Sequence, residues 1–287
     1  MSRKLAFAAT VAVAVFAAAA PAQAGLFGKS KKDAPAETTA KAPAGKTAPA
    51  AAAAAPRKAS KEERAQADRL DPLARAAFWG SVFDADPQDG EAGVKLSAAL
   101  RAMERYPEAA AAADRVLVTD PGNVEAMLEL GRAHIGRGQG FYAIDPLKKA
   151  MAAAPKDWRA PSLLGVAYEQ VSRHDDAVVV WKEALKLSPE NPAVLTNLAL
   201  SYAANGNAAQ AETLLRQAVA RPGASLQTRQ NLALVLGLQG KTAEAERLIR
   251  EDLPPEQAEK NLAWLRAKTA APAPASTGRT WNSLQGG

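Results

Sequence analysis

The sequence predicts an all-α fold, a right-handed solenoid in which pairs of antiparallel helices stack along one axis. One pattern of small and large apolar residues returns at a constant interval of about 34 residues between positions 90 and 259. A proline closes the first three periods, where a helix has to end. The composition is 48% hydrophobic and rich in alanine, which favours helix. A single helix pair cannot bury its apolar face, so repeats of this length stack into a continuous core.

The clearest period covers residues 158–191, and its spacing resembles the tetratricopeptide repeat: helix, tight turn, second helix, proline. Small residues stand where the two helices approach closely, large ones where neighbouring pairs meet, and a proline where the second helix stops. In that order they are Gly165, Ala177 and Ala184, then Tyr168 and Trp181, then Pro189.

Stepping by the same interval in both directions gives five contiguous full repeats without an insertion: 90–123, 124–157, 158–191, 192–225 and 226–259. Two prolines fit this pattern less well, because Pro146 and Pro161 fall a few residues inside predicted helices. Those helices either begin late or kink at the proline.

Residues 60–89 are predicted to form a degenerate N-terminal half-repeat that covers the first full one. Ser60 and Glu63 have the spacing of a capping box, for a helix that reaches about Leu70. A second helix, over residues 72–84, then follows an Asp-Pro start. The solenoid as a whole is predicted to span residues 60–268.

The C-terminal end of the solenoid is predicted to be a capping helix over residues 255–268, after the break at Pro254-Pro255. Ala258, Leu262 and Leu265 form its apolar stripe. Residues 269–287 form a Pro/Ala-rich tail that is predicted to be disordered. Its Trp281 and Leu284 leave a docking motif as the alternative.

Residues 1–24 have the three parts of a secretory signal. Arg3 and Lys4 are its basic start, residues 5–20 are its apolar run, and residues 22–24 are a small-x-small cleavage site. An uncleaved membrane anchor is the alternative, but the apolar run is shorter than the roughly 20 residues of a spanning helix. The mature protein is therefore expected outside the cytoplasm.

The basic charge of the chain is concentrated outside the predicted solenoid. Residues 1–60 hold nine Lys and Arg against two acidic residues, whereas the remainder holds 27 basic and 28 acidic residues. Much of the excess lies in an Ala/Pro/Lys-rich linker, residues 25–59, that is predicted to be disordered. A nucleic-acid-binding protein carries its positive charge on the folded surface, so this distribution argues against that class.

No catalytic, cofactor or metal site can be argued from the residues. The chain has no cysteine, which excludes disulfides, thiolate metal ligands and lipid attachment at an N-terminal cysteine. His134 occupies the packing slot of Tyr168, and His174 lies in a turn. Three glycines imitate a nucleotide loop, but no strand precedes them: Gly136, Gly138 and Gly140. The predicted protein is not an enzyme and uses no cofactor.

By similarity to tetratricopeptide domains, the first helix of each repeat is expected to line a concave groove. An apolar row in that groove favours an amphipathic or extended apolar protein segment as ligand, and two asparagines would hydrogen-bond its backbone. The alternative is that some of these residues only pack between helices. The predicted contact residues are Leu128, Arg132, Val166, Asn197, Leu200, Asn231 and Leu234.

Several blocks between residues 64 and 268 resemble a narrower family, TadD, the tetratricopeptide protein of the Tad (Flp, tight adherence) pilus system. RQNLALVLGLQG, within the fourth block, is the most specific part of this resemblance. The blocks are DPLARAAFWGSVFDADPQD (71–89), FYAIDPLKKA (141–150), VLTNLALSYAANGN (194–207), RQNLALVLGLQGKTAEAERL (229–248) and DLPPEQAEKNLAWLRA (252–267).

The resemblance to TadD implies a non-enzymatic assembly factor that works like the pilotins of type IV pili, helping the outer-membrane secretin to form. Members are often lipoproteins, and this chain has no cysteine to acylate. A soluble periplasmic factor is therefore implied, with a secretin or another Tad component as its protein partner. The alternative function is a general periplasmic scaffold or chaperone for envelope assembly.

Overall fold

The computed structural model describes residues 58–269, and within that range the regular elements are all helices. The signal (1–24), nearly all of the linker (25–59) and the tail beyond Thr269 lie outside the described residues. The helices are α1 Lys61–Ala67, α2 Pro72–Ala85, α3 Gly90–Ala102, α4 Tyr106–Thr119, α5 Val124–Gly136, α6 Gly140–Ala153, α7 Arg159–Gln170, α8 His174–Leu187, α9 Pro192–Ala204, α10 Ala208–Val219, α11 Leu226–Leu238, α12 Thr242–Asp252 and α13 Pro255–Thr269.

The five repeats each supply two of these helices, from α3 and α4 to α11 and α12, so the predicted all-α solenoid is confirmed. Polar side chains set several of the first-helix starts. Asn123, Asn191 and Ser225 each accept a backbone N–H from the first turn of the helix that follows. Such caps satisfy donors that have no partner within the helix.

The helices that flank the repeats start where the sequence predicts. Ser60 and Glu63 form the full capping box of α1, and Asp71 caps α2. α1 ends at Ala67, short of the predicted Leu70. At the other end α13 buries Ala258, Leu262 and Leu265, and so covers the last repeat.

Small residues allow the two helices of a repeat to approach each other. A Cβ built on Gly165 overlaps the Trp181 ring, and one built on Gly131 overlaps the Leu147 side chain. Trp181 is buried and donates its Nε1–H to the Ser162 carbonyl at 2.9 Å. The absence of a side chain on the first helix therefore leaves the space that a large side chain of the second helix fills.

The two unexpected prolines are accommodated differently. Pro161 is the third residue of α7, in the first turn, where a missing N–H removes no helical hydrogen bond. Pro146 lies well inside α6, and that helix continues through it to Ala153. Neither helix begins late to avoid its proline.

The turn inside every repeat has the same conformation. The fifteenth residue of each repeat lies in this turn and has positive φ in all five repeats. In three of them that residue is glycine: Gly138, Gly206 and Gly240. Glu104 and Ser172 occupy the same place with φ of 59°. In each repeat the next residue donates its N–H to the carbonyl five residues back, as Arg173 does to Tyr168 at 2.9 Å. This is the hydrogen bond of a Schellman motif.

The helix contacts identify the inner face of the solenoid. Each first helix contacts the first helix of the next repeat, from α3 with α5 to α9 with α11, and α11 contacts the capping helix α13. Among the described residues, the second helices of successive repeats show no such contact with one another. The first helices therefore line the concave side, and the second helices form the outer layer.

Candidate protein-binding groove

Positions within a repeat are counted from its first residue, so that residues 90, 124, 158, 192 and 226 are position 1. The surface of the concave side is a stripe formed by positions 2, 6, 9 and 13 of the first helices. These positions are spaced by four, three and four residues, so they share one helical face. Every residue at position 9 is half-buried and every residue at position 13 is exposed. Position 9 gives Ala98, Arg132, Val166, Leu200 and Leu234, and position 13 gives Ala102, Gly136, Gln170, Ala204 and Leu238.

The seven predicted groove residues fall into two groups: five that are half-buried, and Leu128 and Asn231, which are buried. Arg132, Val166, Leu200 and Leu234 share position 9, and Asn197 lies beside them, half-buried, at position 6. All five therefore keep part of their surface exposed.

The prediction for Leu128 is wrong, because its side chain is 0% exposed and belongs to the central core. Its counterparts Ser162 and Thr196 are also buried. Position 5 packs between successive first helices, where Thr196 Oγ1 lies 3.3 Å from Thr228 Oγ1. Asn231 is only 9% exposed, and its Oδ1 accepts a hydrogen bond from Gln227.

One end of the groove is built from charged side chains, which we call the charged zone: Asp68, Lys95, Arg101, Glu129 and Arg132. Lys95 Nζ lies 2.6 Å from the Asp68 carboxylate. The Glu129 side chain is only 6% exposed, and Arg101 and Arg132 bind it at 2.9 and 2.6 Å. Burial of this carboxylate is compatible with folding because both oxygens are paired.

Towards its C-terminal end the groove carries an apolar zone: Leu163, Val166, Leu200, Leu234 and Leu238. In the fourth and fifth repeats the stripe carries no charged residue at all. Leu238, at the C-terminal end of this zone, is 50% exposed. At position 12 of the fifth repeat, a Cβ built on Gly237 would meet Leu265 of the capping helix α13. Position 12 of the first repeat is Arg101, which binds Glu129 in the charged zone.

Acid-rich networks line the edge of the groove at the helix N-termini. Arg159 binds both Asp157 and Glu125, and Arg64 binds both Asp89 and Glu91. Burial raises the pKa of Asp157, but the hydrogen bonds from Arg159 more than offset this and lower it overall. Each edge network thus holds two carboxylates for one guanidinium.

Sequence reasoning missed the partnership of Arg101 with Glu129, because the two residues lie 28 positions apart. The signal that identifies it is the contact between position 12 and position 6 of adjacent repeats. Position 2, which supplies Glu125 and Arg159 to the edge, contributes none of the predicted contact residues.

The two histidines lie outside the stripe. His134 packs against Tyr142, with ring centroids 5.7 Å apart, and burial lowers its pKa. His174 Nδ1 lies 2.6 Å from Glu169 Oε2. Across residues 58–269, no group of three or more His, Asp or Glu side chains is placed to hold a metal ion.

A second exposed surface lies on the outer layer, where α6 begins. Phe141 and Tyr142 are 72% and 61% exposed and contact each other edge to face, with centroids 5.7 Å apart. Exposed aromatic pairs of this kind are frequent at protein interfaces. This pair belongs to a second helix and is not part of the groove stripe.

Three family models, all described as tetratricopeptide repeat, match residues 94–157, 170–227 and 225–253. Together they span more than half of the chain. The chain is a tetratricopeptide-repeat protein. None of the matched families is catalytic, and repeats of this kind generally form protein-interaction scaffolds.

One curated relative is the protein y4yS of Sinorhizobium fredii, described as uncharacterized. It is 32% identical over 90 residues, which are 31% of this tetratricopeptide-repeat chain and 50% of the relative. The chain thus spans half the length of the curated relative it matches.

Among solved structures, TTC0263, a thermophilic tetratricopeptide protein of Thermus thermophilus, is 27% identical with a TM-score of 0.53. That match covers 63% of this chain and 97% of the other. A chain of the APC/C hetero-tetramer Cut9–Hcn1 is 13% identical with a TM-score of 0.61, covering 70% of this chain and 41% of that one. The second likeness shows the fold alone.

Proposed function

We propose that this protein is a non-enzymatic periplasmic scaffold that binds a segment of a secretin or another Tad component in its groove. In this role it is a pilotin-like assembly factor of the Tad (Flp) pilus. The observation that carries the binding proposal is the uncharged, partly exposed stripe of the apolar zone. It lies on the concave face of a fold whose general use is protein binding.

The pilus role is supported by where the TadD-like blocks fall. The blocks at 194–207 and 229–248 lie on α9 and α11 and supply the stripe residues Leu200 and Leu234. The block at 141–150 carries the exposed pair Phe141 and Tyr142. Similarity in these blocks therefore falls on surfaces as well as on the helix-packing positions that all such repeats share.

The periplasmic location rests on the signal-like residues 1–24. No helix among the described residues combines the length and the apolar character needed to cross a bilayer. A general periplasmic scaffold or chaperone of envelope assembly has the same fold and the same signal, so only the identity of its partners separates it from the pilus role.

The test is an affinity purification from crosslinked cell envelopes, with mass spectrometry of the proteins recovered. Wild type is compared with Val166→Glu/Leu200→Glu, which places two carboxylates in the apolar zone. The matched control is Val118→Glu/Val179→Glu, since these valines are 82% and 56% exposed on the outer helices α4 and α8. Circular dichroism verifies that all three proteins keep their helicity.

We expect wild type and the outer-face control to recover secretin or other Tad components, and the groove variant to lose them by at least about tenfold. Buried unpaired charge makes docking of an apolar segment unfavourable. Recovery of a broad set of unrelated envelope proteins would instead favour the general scaffold. Equal recovery by the groove variant would show that the groove is not the binding site.

A further inference from the structure

The charged zone holds one site where cations outnumber anions. Two guanidinium groups, those of Arg101 and Arg132, converge on the single buried carboxylate of Glu129. The neighbouring edge networks have the opposite ratio, with two carboxylates around Arg159 and two around Arg64. The Glu129 site is therefore the cationic point of a groove whose edge is acidic.

Both guanidinium groups keep N–H donors that no acceptor among the described residues uses. Arg132 uses only Nη1 to bind Glu129, at 2.6 Å, and makes no hydrogen bond to another acceptor within the described residues. Arg101 uses Nε and Nη2 for the same carboxylate, at 2.9 and 3.5 Å. Their side chains are 23% and 34% exposed, so the remaining N–H groups are accessible.

Asp157, whose pKa is also lowered by the charge of Arg132, is already engaged. The Asp157 carboxylate accepts hydrogen bonds from the side chain and the backbone of Arg159. It forms no hydrogen bond with Arg132. A carboxylate brought by a ligand would therefore find unused, partly desolvated donors at Arg132.

The site is continuous with the apolar zone. Arg132 shares repeat position 9 with Val166, Leu200 and Leu234, which follow it in the next three repeats. Helices in contact lie about 8–10 Å apart, so one bound segment running along this row meets the guanidinium first and three aliphatic side chains after it.

We propose that Arg132, with Arg101, binds an acidic side chain of the partner segment, while apolar side chains of that segment pack on Val166, Leu200 and Leu234. The groove thus selects a segment with an Asp or Glu at one end of an apolar run. Arginine suits this task because its planar fork matches a carboxylate. Glu129 holds the two guanidinium groups in place. This inference rests on the proposed function, since it names the chemistry of the segment bound in that groove.

The test uses a phage-displayed library of random dodecapeptides, selected on residues 25–287 of wild type and of three variants. Arg132→Gln removes the guanidinium and leaves Glu129 paired with Arg101. Arg115→Gln is the matched control, because Arg115 is 47% exposed on the outer helix α4. Val166→Glu/Leu200→Glu reports on the groove itself. Thermal melts verify folding of each protein.

We expect wild type and Arg115→Gln to enrich peptides with an acidic residue next to an apolar run. A selected peptide should bind Arg132→Gln ten- to a hundredfold more weakly, the usual loss for a hydrogen bond to a charged group. Replacing its acidic residue by the matching amide should cost wild type the same factor, and should cost Arg132→Gln almost nothing.

Two outcomes would contradict these expectations, and each contradicts a different proposal. Peptides that depend on Val166 and Leu200 but show no acidic preference would overturn the arginine site and leave the groove proposal standing. Peptides that bind the groove variant as well as wild type, or no enrichment on wild type at all, would overturn the groove proposal itself.

Discussion

The two zones of the groove are built on the same backbone and differ in chemistry. In the charged zone, Arg101 and Glu129 fill positions 12 and 6 of adjacent repeats. At the other end of the groove, Gly237 stands at position 12 of the fifth repeat and a Cβ built on it would meet Leu265 of the capping helix α13. Contact between first helices therefore does not require a particular side chain. Because these positions accept different side chains, they can determine the charge of the surface that a partner contacts.

The comparison also separates what holds the helices from what faces the groove. The packing positions show one strategy in both zones: Gly131 lies against Leu147 in the second repeat, and Gly165 against Trp181 in the third. Substitutions at these glycines should change stability, and substitutions in the stripe should change binding.

The largest effect is expected at Gly165. Gly165→Ala places a methyl group inside the contact distance of the rigid, buried Trp181 ring, and we expect a loss of about 2–3 kcal/mol of unfolding free energy. Gly80→Ala is the matched control: its Cβ would lie 3.7 Å from Leu96, and alanine should gain about 0.5–1 kcal/mol in a helix. Urea unfolding measures both, and equal stabilities would contradict the assigned helix contact.

A smaller loss is expected in the charged zone. Glu129→Ala leaves the partly buried Arg101 and Arg132 without their common acceptor, which should cost about 1–2 kcal/mol. Glu125→Ala removes an acid of the edge network whose side chain is 49% exposed, and should cost less than about 0.5 kcal/mol. The same unfolding experiment compares them. A larger cost at Glu125 would show that the edge, and not the centre, holds this zone together.

An opposite, stabilising effect is expected at the turns of the first and third repeats. Glu104 and Ser172 adopt φ of 59°, the conformation that glycine takes at the equivalent Gly138. Glu104→Gly and Ser172→Gly should each raise the unfolding free energy by about 0.5–1 kcal/mol, because the side chain no longer strains a left-handed backbone. Gly138→Ala should lower it by a similar amount. Thermal melts that rank the variants otherwise would show that the turn conformation differs between repeats.

The sequence was sufficient for the repeat because packing is local and periodic. Gly165, Ala177 and Trp181 lie within a single repeat, and each has one neighbour that the spacing identifies. The groove was only partly predictable. The residues at position 9 keep exposed surface, whereas Leu128 at position 5 is buried, because exposure depends on how one repeat turns relative to the next.

Contacts between repeats follow from the same inter-repeat rotation, which composition and spacing do not encode. The Arg101–Glu129 pair depends on it directly. The positive φ of Ser172 was hidden for another reason: the residue type gives no sign of it, and only the alignment with Gly138 and Gly206 reveals that the turn is the same.

The smallest effect is a pH dependence in the second repeat. His134 fills the slot that holds Tyr168 in the third repeat and Leu236 in the fifth. Burial lowers its pKa, while the nearby Asp114 carboxylate acts in the opposite direction. Below about pH 6.5 the unfolded chain therefore binds more protons at this residue than the folded chain does. The stabilisation associated with neutral His134 is complete above about pH 6.5 and is lost as the pH falls from there through the lower pKa of the folded state.

His134→Leu removes the titrating group and supplies the side chain that Leu100 and Leu236 place in this slot. We expect the difference in unfolding free energy between wild type and variant to shift against wild type as pH falls from 7.5 to 5, measured by urea unfolding at each pH. Carboxylates with lowered pKa, such as Asp157, lose their contribution at more acidic pH and are common to both proteins. A constant difference across the range would show that His134 is as easily protonated in the fold as in the unfolded chain. The slot would then be open to water in the second repeat and closed in its neighbours.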